Sequence, residues 1–359
     1  MPDLAARLAA RTLELVDIAS ESRHEAAISA HVSALVPPSF VLETEVDGAR
    51  LWATERRPDA PLVVLAGHVD TVPPQGNVPG RIEDGAVHGL GASDMKGGVA
   101  VALELARELD AERPPSAYDV ALLLFEREEL PPSENPLPAL FERSSQLGDA
   151  ALAVLLEPTD CEIQAGCVGN LTARIVFHGR SGHAARPWLA DNAIERAIAG
   201  LAPLAALQRR EAVIQGLPFY EVVTITRLHA GIADNVVPGE ATAHLNVRYP
   251  PDRTPEEAEA YLRSLVPDSV EVHVDGNSPP ARVVADAPLV RRLRAADDLA
   301  LEPKQAWTNV ADFTERGLDA VNFGPGAPRY AHTADEQVEI ASLVRCFTAF
   351  WRFLTEPGL

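Results

Sequence analysis

Three apolar segments of this chain run directly into histidine or carboxylate residues, and this pattern restricts the possible fold. Each segment has the length and composition of a buried strand. The segments and the side chains that follow them are 62–66 with His68 and Asp70, 120–125 with Glu126, Glu128 and Glu129, and 151–156 with Glu157. Helix-like segments separate these strands, which predicts a parallel or mixed sheet covered by helices. Because the carboxyl ends of parallel strands lie at one edge of a sheet, we expect these side chains to converge there.

The domain organisation follows from the length of the chain and from a change of pattern in its middle. At 359 residues the chain exceeds what one hydrophobic core usually serves. Between residues 171 and 276 the pattern is strand, helix, two strands, helix and strand, which predicts a compact α+β unit. We therefore predict a catalytic domain formed by residues 1–170 and 277–359, with residues 171–276 inserted as a second domain.

Composition argues against several classes of partner. Lys and Arg total 31 against 52 Asp and Glu, and the net charge of -21 repels phosphate backbones and anionic membrane surfaces. Neither nucleic acid nor a membrane is therefore an expected partner. The three cysteines form no CxxC motif, and the first residues lack the apolar core of a signal peptide. A cytoplasmic location is expected from these features.

The residues that follow the strands are of the types that bind catalytic metal ions. Zinc is bound by His and carboxylate ligands, and a pair of ions needs one bridging carboxylate and two further ligands each. Two more candidates lie elsewhere: Asp94 begins a predicted helix after a Pro/Gly-rich loop, and His332 follows a strand and a Gly-Pro-Gly turn. The assignment that fits this count has Asp94 as the bridge, His68 and Glu157 on one ion, and Glu129 and His332 on the other.

Two further carboxylates are assigned supporting roles. Asp70 lies two residues after His68, where it can accept the hydrogen of the other imidazole nitrogen. Glu128 remains as a general base that takes a proton from water and returns it to a leaving amine. Each residue alone has a structural alternative, such as a core histidine, a solvated charge run at 126–129 or a helix cap at Asp94. Their shared position at strand ends and loop turns favours the metal site.

The ordered motifs of the chain resemble a known family. They are GHVDTVP, GLGASDMKGG, the EE pair, EPT, GRSGHAARP, DNVVP, and GPG followed by AH. Together they resemble the M20 metallopeptidase family and, within it, the actinobacterial succinyl-diaminopimelate desuccinylases. The resemblance implies an α/β zinc-peptidase-like catalytic domain, with a mixed, mostly parallel sheet and flanking helices, and an inserted ferredoxin-like lid and dimerisation domain. It also implies two zinc ions per subunit, with cobalt as a substitute, and a cis peptide after Asp94.

The same resemblance implies a reaction and further site residues. The reaction is hydrolysis of N-succinyl-LL-2,6-diaminopimelate, an acylated amino acid, to succinate and LL-2,6-diaminopimelate by a homodimer formed through the inserted domain. His183 would cross the dimer interface to polarise the scissile carbonyl, and Asn235, Arg248 and Gly324 would bind substrate. Alternatives are another deacylase or peptidase of the family, namely an acetylornithine deacetylase, aminoacylase or dipeptidase, and a catalytically silent dimeric interaction protein.

One motif departs from the family pattern. Proteobacterial desuccinylases carry Arg-Arg-Gly ahead of the lid strand, whereas this chain has a Cys-Val-Gly sequence at 167–169. Other groups must then hold the substrate carboxylates. Arg174, Arg180 and Arg186 are the candidates, because a planar guanidinium can bind a carboxylate through two hydrogen bonds.

Overall fold

The computed structural model describes residues 2–267 and 269–356. The chain packs as two compact units, the first formed by residues 2–165, 284–302 and 312–356, and the second by residues 166–283 and 303–311. The predicted boundaries at 171 and 276 lie near these limits, although they assign 303–311 to the other domain. As domain boundaries they stay a prediction.

The longest helices of the described residues are the first, the last and the one that follows Asp94. In chain order the helices are α1 (Pro2–Val16), α2 (Ala26–Leu35), α3 (Gly97–Glu112), α4 (Leu137–Arg143), α5 (Ser145–Gly148), α6 (Ala193–Ala205), α7 (Pro255–Ser264), α8 (Pro288–Ala295), α9 (Val310–Glu315) and α10 (Ile340–Thr355). Among the described residues, no helix is long and apolar enough to cross a membrane.

The strands of the described residues follow in the same order. They are β1 (Val41–Val46), β2 (Ala49–Ala53), β3 (Leu62–His68), β4 (Arg81–Glu83), β5 (Ala86–His88), β6 (Asp119–Phe125), β7 (Ala150–Leu155), β8 (Ile163–Cys167), β9 (Gly169–His178), β10 (Gly182–His183), β11 (Arg210–Ile214), β12 (Leu217–Ala230), β13 (Val236–Val237), β14 (Glu240–Tyr249), β15 (Glu271–Ser278), β16 (Leu301–Lys304), β17 (Ala320–Asn322) and β18 (Gln337–Glu339).

An eight-stranded mixed sheet is the centre of the first unit. Its order is β1-β2-β6-β3-β7-β17-β8-β16. The central strands β6, β3, β7 and β17 run parallel, and the pairs β1/β2, β2/β6 and β17/β8 are antiparallel. Every residue of β3 and β6 is buried, because helices cover the sheet, with α3 packing on β3, α8 on β7 and α4 on β1. The predicted mixed sheet with flanking helices is confirmed.

The second unit is an antiparallel sheet with two helices on one face. The strand order is β11-β12-β14-β9-β15, and the chain order β9-α6-β12-β14-α7-β15 is that of a ferredoxin-like fold. Strand β14 alternates buried and partly exposed residues, as expected for a sheet with one covered face. Its buried side chains pack against Ala197 and Leu201 of α6 and against Ala258 and Leu262 of α7. The predicted α+β architecture is confirmed.

A small three-stranded sheet joins two parts of the first unit that the sequence leaves apart. Its order is β18-β5-β4, with Gln337 opposite His88 and Glu339 opposite Ala86. Strand β5 precedes Asp94, and β18 follows His332. The pairing therefore holds the two loops that carry these residues next to each other.

Candidate metal centre

The ends of three parallel strands meet at one edge of the central sheet, as the sequence predicts. His68 is the last residue of β3 and lies opposite Phe125, the last residue of β6, after which the chain continues to Glu129. On the other side of β3, the backbone N–H of Leu156 donates to the carbonyl oxygen of Ala66 at 2.9 Å, just before Glu157. The sheet thus brings the candidate side chains to one place.

Asp94 lies between two imidazoles. Its Oδ1 is 3.1 Å from His68 Nε2, and its Oδ2 is 3.6 Å from His332 Nε2. The Oε1 atom of Glu129 is 2.8 Å from the same His332 nitrogen. The Asp94–Met95 peptide bond is cis, as the resemblance implied. One carboxylate with a different imidazole at each oxygen is the arrangement that a bridging ligand requires.

Two sets of candidate ligand atoms lie close together among the described residues. Asp94, Glu129 and His332 each offer one atom within 4.8 Å of the others, as do His68, Glu128 and Glu129. Glu157 belongs to neither set, but it is buried beside them, and its charge contributes to the raised pKa of Glu128. The assignment of Glu157 as a ligand and of Glu128 as a base stays a prediction.

Asp70 orients His68 and also shapes the neighbouring turn. The Nδ1 atom of His68 is 3.1 Å from the Asp70 carbonyl oxygen and 3.4 Å from its Oδ1, so this nitrogen carries a hydrogen and Nε2 faces Asp94. The carboxylate of Asp70 accepts the backbone N–H of Glu128 at 3.0 Å and that of Glu129 at 3.1 Å. Ser22, which sequence reasoning missed, donates its hydroxyl to Asp70 Oδ2 at 2.8 Å.

The pKa values of the side chains at this site reflect the crowding of carboxylates around them. Burial opposes the charged form of His68, but hydrogen bonds with Asp70 and Asp94 outweigh it and raise its pKa well above the usual value. Loss of hydration raises the pKa of Glu128 well above its usual range, and the neighbouring carboxylates add to this effect against the attraction of His68. A raised pKa makes the ionised carboxylate a stronger base.

His332 is held by its neighbours on an exposed loop. The hydrogen bond with Glu129 raises its pKa to about 9, although burial opposes this. Gln75 donates from Nε2 to the His332 carbonyl oxygen at 2.9 Å, and Asn77 donates to the carbonyl oxygen of Thr333 at 3.2 Å. These bonds fix the loop while leaving the imidazole 52% exposed.

Two glycines of the Gly-Pro-Gly turn permit close backbone approach at the site. A Cβ atom at Gly324 would lie 2.4 Å from the Glu157 carbonyl oxygen, and one at Gly326 would lie 2.3 Å from the Ser93 carbonyl oxygen. Any larger residue would push the turn away from the strand end that carries Glu157 and from the turn that carries Asp94. This packing explains the residue type at Gly324, and its role in substrate binding stays a prediction.

The second unit carries the other predicted site residues. His183 in β10 is exposed, and its Nδ1 accepts the backbone N–H of Ala185 at 3.1 Å, so the ring hydrogen is on Nε2 and can be donated. The carbonyl oxygen of Asn235 accepts the backbone N–H of Ala184 at 3.0 Å. His183 and Asn235 therefore belong to one local structure, in which β10 pairs with β13.

The arginines of the second unit differ in what they contact. Arg174 donates from Nε and a terminal nitrogen to Asp275 at 2.9 and 2.8 Å, so its guanidinium is already engaged. Arg248 donates from Nε to Asn246 Oδ1 at 2.9 Å, and burial lowers its pKa. Within the described residues no carboxylate pairs with Arg248. Of these two, Arg248 is the one with guanidinium nitrogens left for a carboxylate ligand.

Comparison with known proteins identifies the family. Residues 64–356 match the model of peptidase family M20/M25/M40. A Mycobacterium tuberculosis protein provisionally named succinyl-diaminopimelate desuccinylase is 35% identical over 346 residues, which is 96% of each chain. The succinyl-diaminopimelate desuccinylase of Corynebacterium glutamicum is 33% identical over 352 residues, 96% of this chain and 95% of the relative. This chain belongs to the M20 peptidase family.

The fold comparison agrees with this membership. A tripeptidase of Staphylococcus aureus superposes with a TM-score of 0.79 at 20% identity, covering 98% of both chains. Family membership and the named relatives make the protein a metal-dependent amide hydrolase. The donor set fits this dependence, because imidazole nitrogens and carboxylate oxygens on strand ends and loops are the usual ligands of a catalytic metal ion.

Proposed function

We propose that this enzyme hydrolyses N-succinyl-LL-2,6-diaminopimelate to succinate and LL-2,6-diaminopimelate, using two zinc ions per subunit. The observation that carries the metal assignment is Asp94, whose two carboxylate oxygens face His68 and His332 at 3.1 and 3.6 Å. The relatives named as desuccinylases, at 33 and 35% identity over nearly the whole chain, support the substrate.

The proposed ligands are Asp94 as the bridge, His68 and Glu157 for one ion, and Glu129 and His332 for the other. Such a set of hard oxygen and borderline nitrogen donors suits zinc, and cobalt binds to the same donor types. When bound, the ions would supply Lewis acidity to the scissile amide and to the attacking water.

Glu128 acts as the proton carrier of the reaction. Its backbone N–H is fixed by Asp70 at 3.0 Å, so the carboxylate is presented from a rigid turn beside His68 and Glu129. It takes a proton from the attacking water and delivers it to the amine of diaminopimelate as the amide bond breaks. The products leave with a free succinate carboxylate and a protonated amine.

His183 polarises the substrate carbonyl in the active site of a partner subunit. The ring hydrogen on Nε2 makes it a hydrogen-bond donor, which is what a developing negative charge on the carbonyl oxygen requires. The dimer is proposed to form through the second unit. One support is the exposure of apolar side chains in this unit, including Trp188, which is 74% exposed, and Ile198, which is 61% exposed. A second is the edge of β12 beyond Glu221, where β11 no longer pairs with it.

Arg248 is the proposed anchor of a substrate carboxylate in the second unit, together with Asn235. Its guanidinium can bind a carboxylate through two hydrogen bonds. The reaction is assigned to the cytoplasm, because three cysteines, an odd number with no CxxC motif, fit a reducing compartment better than a disulfide framework.

A substrate panel with the zinc-loaded enzyme tests the proposal. N-succinyl-LL-2,6-diaminopimelate, N-acetylornithine, simple acyl amino acids and dipeptides are compared by kcat/KM, before and after treatment with a chelator. We expect the succinyl substrate to be preferred and the activity to disappear with the metal and return with zinc. Preference for another substrate would assign a different activity within the family. Zinc binding without any hydrolysis would point to an interaction protein.

A further inference from the structure

Glu336 is a buried carboxylate that none of the assigned roles uses. It lies four residues after His332 and is 2% exposed. Its Oε1 accepts the backbone N–H groups of Ser93 and Asp94, each at 3.0 Å, and its Oε2 accepts that of Gly91 at 2.9 Å. One side chain thus binds three backbone donors of the turn that carries the proposed bridging ligand.

The turn that carries Asp94 is a single π-helical turn, Ala92–Lys96, in which the backbone N–H of Lys96 donates to the carbonyl oxygen of Gly91 at 2.8 Å. Within this turn Asp94 and Met95 have non-helical backbone angles, and the N–H groups of Gly91, Ser93 and Asp94 donate to Glu336. Buried backbone donors need acceptors, and one carboxyl group offers two oxygens to these three donors. Glu336 therefore helps to fix the position of the Asp94 backbone.

Glu336 is itself attached to the loop of the other ligand. Its backbone N–H donates to the Thr333 carbonyl oxygen at 3.3 Å, and its own carbonyl oxygen accepts the N–H of Gly89 at 3.0 Å. It directly precedes β18, which pairs with β5. The same residue therefore ties the Asp94 turn to the His332 loop.

We infer that Glu336 is a positioning residue, which holds the Asp94 carboxylate between His68 and His332 so that two metal ions can share it. The inference rests on the proposed dinuclear site. It parallels the contacts of Asp70, which accepts the backbone N–H groups of Glu128 and Glu129. Residues that orient metal ligands in this way typically change metal affinity about 10–100-fold when they are replaced.

Two substitutions separate the shape of Glu336 from its charge. In Glu336→Gln, one oxygen can still accept from Ser93 and Asp94, but the new amide NH2 then faces the N–H of Gly91. Glu336→Asp keeps the charge but is one methylene too short to reach all three donors. The matched control is Glu104→Gln, because Glu104 is also 2% exposed but binds arginine side chains, including Arg11 at 3.1 Å.

The measurements are zinc affinity by competition with a chelator, the absorption spectrum of the cobalt-loaded protein, and thermal unfolding of the metal-free protein. Both Glu336 variants should bind at least one ion about 10–100-fold more weakly and change the cobalt spectrum. Glu104→Gln should lower thermal stability without changing either metal property. If Glu336→Gln fails to fold, Glu336→Asp decides the test.

Three outcomes have distinct meanings. Unchanged affinity and spectrum in both Glu336 variants would overturn the inference and leave Glu336 with a purely structural role. Wild-type properties in Glu336→Asp alone would also overturn it, because charge rather than reach would then suffice. Failure of the wild-type protein to bind two ions would refute the proposed site itself, and the wild-type titration distinguishes that result.

Discussion

Replacing Glu128 by glutamine removes the proposed proton carrier while leaving its surroundings intact. Glutamine has nearly the same size, and the backbone N–H that binds Asp70 Oδ1 at 3.0 Å is unaffected. The variant loses only the charge and the basic oxygen. General acid–base catalysis contributes roughly 10²–10⁴-fold to the rate, so kcat should fall by that factor, which is about 3–5 kcal/mol of barrier.

The structure also gives an expectation for the metal-free protein. Oxygens of Glu128 and Glu129 lie within 4.8 Å of each other. Two unit charges 4.8 Å apart repel by about 3.5 kcal/mol at an effective dielectric constant of 20, and the raised pKa of Glu128 reduces this repulsion because it favours the neutral form. Glu128→Gln should therefore unfold at the same or a higher temperature than the wild type without metal.

The assay combines turnover of N-succinyl-LL-2,6-diaminopimelate, zinc content by elemental analysis and calorimetric unfolding. The matched control is Glu126→Gln, because Glu126 accepts a hydrogen bond from Ser29 and belongs to neither cluster of ligand atoms. It should keep wild-type turnover. Turnover of Glu128→Gln within tenfold of the wild type would refute the role of base. Loss of a zinc ion would instead make Glu128 a ligand, which its proximity to His68 allows.

Three further substitutions test other features of the molecule. His332→Ala removes the nitrogen beside Glu129, so the protein should retain one zinc ion instead of two; elemental analysis that still finds both would contradict the ligand set. When inactive His183→Ala and Glu128→Gln dimers are mixed and exchange subunits, about a quarter of wild-type activity should return. Half of the random dimers contain one subunit of each kind, and each of these has one intact site of its two. No recovery would exclude action of His183 across the interface. Glu221→Gln removes a 3%-exposed carboxylate bound by two arginines and should cost roughly 2–4 kcal/mol in chemical unfolding, whereas Glu83→Gln, at an exposed pair, should leave the unfolding midpoint nearly unchanged.

Much of the secondary structure could be predicted from local patterns. The strand predicted at 120–125 forms all of β6 except its first residue, because a continuous apolar run of this length is typical of a strand buried on both faces. The second helix predicted between residues 171 and 276 is α7, and a capping box formed by Thr254 and Glu257 fixes its start. Periodic and capping patterns depend on interactions between residues that are close in the chain. The elements that they predict are therefore little changed by the packing of the rest of the molecule.

Short elements escape sequence-based prediction for the opposite reason. Strands β4, β5 and β18 have three residues each, and all of β4 is exposed, so no hydrophobic pattern marks them. The Asp84-Gly85 turn, where both residues have positive φ, is the one hairpin signal in this segment. The other partner of β5 is β18, which lies about 250 positions further along the chain. A pattern read over a few neighbouring residues cannot predict a pairing at that separation.

The sequence alone determined which residue types reach the edge of the central sheet. His68 lies at the end of one buried strand, and Glu129 and Glu157 follow two others. Because parallel strands end at the same edge of a sheet, and because imidazole and carboxylate groups bind metal ions, these positions are enough to predict a metal centre. Only the tertiary structure decided which carboxylate faces which imidazole, that Asp70 binds the backbone of the next strand's turn, and that Glu336 holds Asp94. These contacts depend on how crossover loops pack against one another, and the distances of that packing are not encoded in any single stretch of the chain.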